Sequence, residues 1–182
     1  AWGGDRVRAR SLLRDMSGAN ESLELDPRVR EVVERLALSP HPEGGWFRET
    51  WRSPRRLPAE ALPAGYPGSR AVMTSILFLL PSGVRSALHR VRSEELWLHH
   101  QGDDVLLGVG STVDQARDPA HSVRLGQGEE ARLQAIVPAG EWQTAEVVTG
   151  PAGYALVGCV VAPGFEFADF EMAERETSGE GR

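Results

Sequence analysis

Apolar residues change their spacing once along this chain, near residue 44. Before that point Val29, Val32, Val33 and Leu36 recur at the three- and four-residue spacing of a single helical face. Asp26-Pro27 stands directly ahead of them, and this pair supplies an N-cap acceptor and a proline tolerated in the first turn. The spacing predicts a helix that ends near Leu38, before Pro40 and Pro42. From Gly44 onward, short runs of β-branched and aromatic residues are punctuated by Gly, Pro and Asp. They predict strands over 46–53, 71–80, 85–91, 95–100, 104–110, 122–125, 131–137, 142–148 and 154–162, with a Pro/Gly-rich loop over 54–69. Many short strands joined by turns point to an all-β sandwich or jelly-roll β-barrel. The aromatic, acidic segment 163–172 reads as a piece that packs back on the barrel as a short C-terminal helix. Residues 1–25 read as a flexible N-terminal extension in which Met16 is a candidate start, 26–172 as one domain, and 173–182 as a flexible tail.

The chemistry concentrates in 83–102. His89 and Glu95 are six residues apart, with Gly83 before them and Gly102 after. Side chains an even number of positions apart on extended chain share a face. If a turn at Arg92–Ser93 preserves that parity, a base and a carboxylate both point inward. Glu94, the neighbour of Glu95, then points to solvent. His99 has the same parity as Glu95 but lies farther along the strand. In 46–52 the alternation puts Trp46, Arg48, Thr50 and Arg52 on one face and Phe47, Glu49 and Trp51 on the other, and leaves open which face is interior. Trp97 and Trp142 read as core or pocket wall. His41 reads as a turn residue ahead of Pro42, and Gly44-Gly45 as a turn with no helix behind it to make a phosphate loop.

Composition narrows the classes. The 182 residues suit one domain with its own core, at 41% hydrophobic and 25% charged. A formal net charge of −6 argues against nucleic acid or anionic lipid as partner. Every basic side chain is arginine, so lysine Schiff-base chemistry is excluded. Cys159, the single cysteine, permits no intrachain disulfide and reads as a small core residue. No run is long and apolar enough for a membrane span or a signal peptide, and the expected location is the cytoplasm.

Four separated motifs carry a resemblance to the cupin superfamily. Gly83, five residues, His89-Arg90-Val91, three residues, Glu95, six residues and Gly102 resembles its first motif, with Val91 where the second histidine belongs. Pro138-Ala139-Gly140-Glu141-Trp142-Gln143 resembles the second, with Gln143 in place of the third histidine. The segments 41–50, 89–97, 137–143 and 161–170 are similar to those of a small single-domain cupin-like family known as a domain of unknown function. The resemblance covers roughly 27–172 and implies a cupin jelly roll (double-stranded β-helix) and a homodimer, with the strand 46–51 as a candidate part of that contact.

For the site the resemblance implies two alternatives. One is a reduced metal centre of His89, Glu95 and Gln143 for Fe, Mn, Zn or Ni, serving an oxygenase or lyase. The other is metal-free: His89 as general base beside Glu95, as in cupin sugar-nucleotide epimerases, with Arg48, Arg85, Trp97 and Gln143 holding a small sugar-like, nucleotide-like or carboxylate ligand. A binding module without turnover, and a scaffold with a vestigial pocket, are the competing classes.

Overall fold

The computed structural model describes residues 25–173, so the extension expected over 1–25, with Met16, and the tail over 173–182 fall almost wholly outside the described residues. Helix α1 (Pro27–Arg35) starts as expected: the Asp26 carboxylate accepts the Arg28 backbone N–H at 2.8 Å. It ends earlier than the apolar pattern suggests, because Leu36 forms the C-cap and Ala37 turns to a φ of +50°.

Thirteen strands are described: β1 (Ser39–Pro40), β2 (Trp46–Arg52), β3 (Arg56–Leu57), β4 (Arg70–Ala71), β5 (Thr74–Pro81), β6 (His89–Val91), β7 (Glu94–Gly102), β8 (Val105–Gly110), β9 (Ser122–Leu125), β10 (Gln134–Val137), β11 (Trp142–Val147), β12 (Tyr154–Ala162) and β13 (Phe170–Met172). They form a six-stranded sheet, β1-β2-β5-β12-β7-β10, a five-stranded sheet, β13-β6-β11-β8-β9, and a β3-β4 ribbon. Neighbouring strands are antiparallel throughout. The two larger sheets face each other across Phe78, Trp97, Val105, Leu107, Leu125, Val137, Ala145 and Val157, which is the jelly-roll arrangement expected from the strand pattern. A second cluster lies on the opposite face of the six-stranded sheet. There Val29 and Val32 of α1 pack with Trp46, Leu79, Tyr154 and Leu156. Alternation explains both: Phe78 and Leu80 of β5 point between the sheets while Leu79 points to the helix.

Three expected elements differ, each because a distant partner decides them. The expected strand 85–91 shortens to β6. Arg85 keeps only an isolated bridge to Glu146, and the Ser86 hydroxyl accepts the Ala145 N–H at 2.8 Å, so side-chain bonding replaces part of the ladder. The expected strand 71–80 breaks at Val72-Met73, because Arg70–Ala71 pairs with β3 instead. The short C-terminal helix is a single 3₁₀ turn (Phe167–Asp169), and the segment goes on as β13, which pairs with β6. The buried Arg70 guanidinium fixes that turn, gripping Asp169 at 2.6 and 2.8 Å. A five-residue helix α2 (Val113–Arg117), capped by Thr112, interrupts the β8–β9 connection without an apolar period to announce it. Among the described residues, no helix is long and apolar enough to cross a membrane.

Leu79 is fully buried between the six-stranded sheet and α1. Leu79→Ala is expected to lower stability by about 2–5 kcal/mol, read as a lower urea midpoint. An unchanged midpoint would show that α1 adds nothing to the fold.

Candidate functional site

The turn ahead of β2 contributes a residue pair that the sequence reading did not select. His41-Pro42-Glu43-Gly44-Gly45 is closed by His41 N to Gly45 O and by Gly44 N to His41 O, both 3.0 Å. Gly44 and Gly45 have φ of +101° and +74°, and a Cβ on Gly45 would sit 2.5 Å from the Leu79 carbonyl. Glycine is therefore required for the turn to lie against β5. The turn places Glu43 beside His89 of β6. The Glu43 carbonyl accepts the Ala87 N–H at 2.7 Å, and the Ala87 carbonyl lies 2.7 Å from His89 Nδ1, so the backbone of one residue ties turn and histidine together.

Glu43 Oε2 lies 2.8 Å from His89 Nδ1, with the two side chains 7% and 3% exposed. The Nδ1–H is aligned with the Ala87 carbonyl, so the contact with Glu43 is an ion pair rather than a well-aligned hydrogen bond, and Oε2 has no donor of its own. Both neighbours of Nδ1 are acceptors. Nδ1 therefore keeps its hydrogen in either protonation state, and Nε2 is the nitrogen that titrates. The ring stacks on Phe170 with centroids 5.2 Å apart. His41 Nδ1 lies 3.3 Å from the Glu43 backbone N–H as its acceptor, and 3.5 Å from Glu43 Oε1.

Glu95 approaches from the other sheet, on β7. Its Oε2 accepts Gln143 Nε2 at 2.6 Å, and Gln143 Oε1 accepts Trp97 Nε1 at 3.0 Å. The Cys159 thiol on neighbouring β12 lines the same cavity as Glu95. The turn at Arg92–Ser93 thus preserves the expected parity and also carries the chain from one sheet to the other, so His89 and Glu95 face one cavity from opposite walls.

These groups set one another's charge. Burial alone would push the His89 imidazolium down, but the negative charge and close contact of Glu43, with a smaller effect of Glu95, outweigh it and raise the pKa to about 9. Burial pushes the Glu43 carboxyl up, yet His89 and His41 hold it below its ordinary value. Glu95 is raised, chiefly by burial, with His89 and Gln143 opposing. Burial lowers His41 and raises the Cys159 thiol well above its usual range, so Cys159 is not a thiolate nucleophile at neutral pH.

The cavity measures about 120 Å³. His41, Glu43, His89, Glu95 and Cys159 line its floor, Phe47, Ile76 and Phe170 its walls, and Glu49, Arg52 and Glu166 its half-exposed rim. The register of β2 settles which of its faces is interior. Phe47 and Glu49 pair with Phe78 and Ile76 and point inward, and a bulge between Glu49 and Trp51 then shifts the alternation. Arg52 joins the inner face opposite Thr74, and Trp51 is left outside at 54% exposure.

Of the residues expected at the site, His89 and Glu95 line the cavity. The four proposed ligand-holding residues do not. Arg48 is exposed on β2, and Arg85 is an exposed partner of Glu146. Trp97 and Gln143 are buried behind Glu95, which they orient through the chain of hydrogen bonds above. His99 is buried but spends Nε2 on the Asp103 carbonyl at 3.0 Å, outside the cavity lining. His41 and Glu43 were missed because parity arguments hold only on extended chain, and these two sit in a tight turn. The signal available was their place in the 41–50 segment that carries part of the family resemblance, where His41 reads as a turn residue alone.

The donor set does not fit a resident metal. Val91 and Gln143 stand where cupin imidazoles would be, and Gln143 has committed both side-chain atoms, to Glu95 and to Trp97. Among the described residues no group of three or more His, Cys, Asp or Glu side chains is placed to hold a metal ion.

Residues 30–173 match the family model described as Cupin superfamily (DUF985). Among solved structures, the chain is similar to a hypothetical protein from Leishmania major, at 35% identity and a TM-score of 0.67, covering 79% of this chain and 86% of that one. It is also similar to a protein from Shewanella oneidensis, at 32% identity and a TM-score of 0.62, covering 79% and 83%. No curated protein matches the chain.

The Glu43–His89 pair gives a pH dependence of known sign. The folded chain holds the His89 proton to about pH 9, while an unfolded histidine releases it near 6.5. The resulting stabilisation is complete below about pH 6.5 and is lost as pH rises through about 9. Thermal midpoints between pH 6 and 10 should fall for the wild type, and His89→Gln should flatten that decline. Parallel curves for the two proteins would contradict the assigned pair.

Proposed function

This chain belongs to the Cupin superfamily (DUF985), and within that fold we propose that it binds a small polar molecule in the cavity between its sheets and moves a proton on it, as an isomerase or epimerase does. What carries this reading is the geometry of two buried ionisable groups, His89 and Glu95, which face one cavity from opposite sheets, with the proton affinity of His89 raised by Glu43 and that of Glu95 raised by burial. A histidine with a pKa of about 9 is an imidazolium at neutral pH. It therefore acts as the acid, and the role of base expected for His89 passes to Glu95.

In the proposed step the Glu95 carboxylate takes a proton from the carbon next to a carbonyl. The electron pair of that C–H bond becomes the C=C bond of an enol as the carbonyl π pair moves to oxygen, which receives the proton of His89 Nε2. Glu95, its proton exchanged with solvent, then protonates the neighbouring carbon while an enol oxygen returns a proton to Nε2, which completes an isomerisation; an epimerisation takes the returning proton from water on the opposite face. Glu43 keeps Nδ1 protonated and the imidazolium charged, and Gln143, itself fixed by Trp97, holds the Glu95 carboxylate in one orientation.

Such a reaction marks its substrate with solvent hydrogen. Incubating the protein with a metabolite extract in heavy water should leave one compound heavier by one deuterium, seen by mass spectrometry. Glu95→Gln should slow that labelling by about 10²–10⁴-fold, and His89→Gln by a similar factor. Labelling that is absent with the wild type, or that persists in Glu95→Gln, would refute the assignment.

A further inference from the structure

The cavity floor is reached across a rim that has two sides. Glu49 and Arg52 of β2 make one, and Phe165, Glu166 and Phe167, from the connection between β12 and β13, make the other. His89, Glu95 and Cys159 lie below it at 3%, 7% and 2% exposure. Arg52 spans the two sides. Its Nε and Nη2 donate to the two Glu49 oxygens at 3.0 and 2.7 Å, and its Nη1 donates to Glu166 Oε1 and to the Phe165 carbonyl, both at 3.1 Å. Glu49 therefore fixes the guanidinium on its own strand, and the remaining nitrogen grips the facing segment. Arg52 and Glu166 are each about one-third exposed, so water and salt compete for this pair and the grip is weak.

The gripped segment is anchored firmly at both ends. The Gly164 N–H donates to the Ala71 carbonyl at 2.8 Å, and a Cβ on Gly164 would stand 3.0 Å from the Ala71 side chain, so the chain is wedged there. The Phe165 N–H donates to Thr74 Oγ1 at 3.0 Å. At the other end the buried Asp169 carboxylate is held by Arg70 at 2.6 and 2.8 Å. Glu166, Phe167 and Ala168 lie between these anchors. The Phe167 ring lines the cavity and meets Phe165 and Phe170 edge to face, with centroids 5.2 and 6.4 Å apart. A short span with fixed ends and an ionic grip in its middle can open without unfolding the sheets behind it.

We propose, resting on the reading that this cavity is the ligand site, that Glu166–Ala168 is a gate over it, with the Phe167 ring as the plug and the Arg52–Glu166 ion pair as the latch. Closed, the gate keeps water from His89 and Glu95, whose charges then act on the ligand at full strength. Open, it admits and releases the ligand. The latch sits at the half-exposed rim, so salt weakens it while the buried Glu43–His89 pair is screened much less.

Cys159 is the single cysteine of the chain and lies on the cavity floor, so its labelling reports passage through the gate. The probe is methyl methanethiosulfonate, small and uncharged, which the thiolate attacks at sulfur to give the methyl disulfide of Cys159 and methanesulfinate. Burial, Glu95 and Glu43 set the proton affinity of this thiol, so changes at Arg52 or Glu166 act on access rather than on the sulfur. The full chain is labelled at several urea concentrations below its unfolding transition, and the rate is read by intact mass. Wild-type labelling should be slow and flat in low urea, as local opening requires. Arg52→Met should label about fivefold faster and Glu166→Gln roughly threefold faster. Salt should speed the wild type and leave Glu166→Gln unchanged. Phe167→Ala should label faster than either and gain nothing from added Arg52→Met, because the latch acts through the plug.

A wild-type rate that climbs with urea as steeply as global unfolding overturns the gate, because nothing then opens locally. A wild-type rate equal to that of the urea-unfolded chain overturns it too, because nothing is then closed. Arg52→Met or Glu166→Gln labelling at the wild-type rate overturns the latch, and Glu166→Gln, a change at the rim, keeps that test in place should Phe167→Ala fail to fold. None of these readings uses a substrate, so the gate stands or falls separately from the proton transfer, which the heavy-water labelling decides.

Discussion

One ion pair organises the interior of this protein: Glu43 against His89, 2.8 Å apart and almost wholly removed from water. Either charge alone would be expensive at that depth, and together they are tolerable only because the geometry is fixed. The fixing is done by backbone. Gly44 and Gly45 fold the turn back on β5, the Ala87 N–H and carbonyl bond to Glu43 and His89 in turn, and Phe170 of β13 stacks on the imidazole. Three distant segments of chain, near residues 43, 89 and 170, must be in place before the pair exists.

The same pair decides what the cavity can do. It holds His89 as a cation at neutral pH, and on the proposed function the imidazole then serves as the acid. On the same proposal Glu95, raised chiefly by burial and held by Gln143, is the group that accepts a proton. The division of labour comes from environment, since the two residues are ordinary by type. The poor fit to a resident metal has a separate cause: Val91 offers no donor, and Gln143 turns its amide to Glu95 and Trp97.

Core and site are layers of one construction. Along β7 the inward positions run from Glu95 at the cavity, through Trp97 in the apolar layer, to His99 at the far end. Along β12 they run from Val161 and Cys159 at the cavity to Val157 and Ala155 in the core. Polar side chains gather at one end of the sandwich and apolar ones fill the rest. The transition is bridged by Gln143, which gives one hydrogen bond to the polar layer and receives one from Trp97 below it.

Local pattern by itself determined the strand-rich fold, the helix start at Asp26-Pro27, the turn at Gly44-Gly45 and the inward parity of His89 and Glu95, because each depends on chain geometry over a few residues. Strands β9 and β12 appear with the limits that their turn residues imply. Tertiary structure alone decided the rest. The inner face of β2 follows from its register on β5 and a bulge near Thr50, which brought in Arg52 and excluded Trp51. Phe170–Met172 became a strand because Asp169 meets Arg70, ninety-nine positions away, and β6 offers an open edge. Glu43 and His41 became part of the site because a tight turn aims side chains by its own dihedral angles and by what it packs against, which no period of two or 3.6 records. Arg48 and Arg85, of the right chemical type, were left at the surface for the same reason: residue type proposes a role, and only the packing of distant segments assigns it a place.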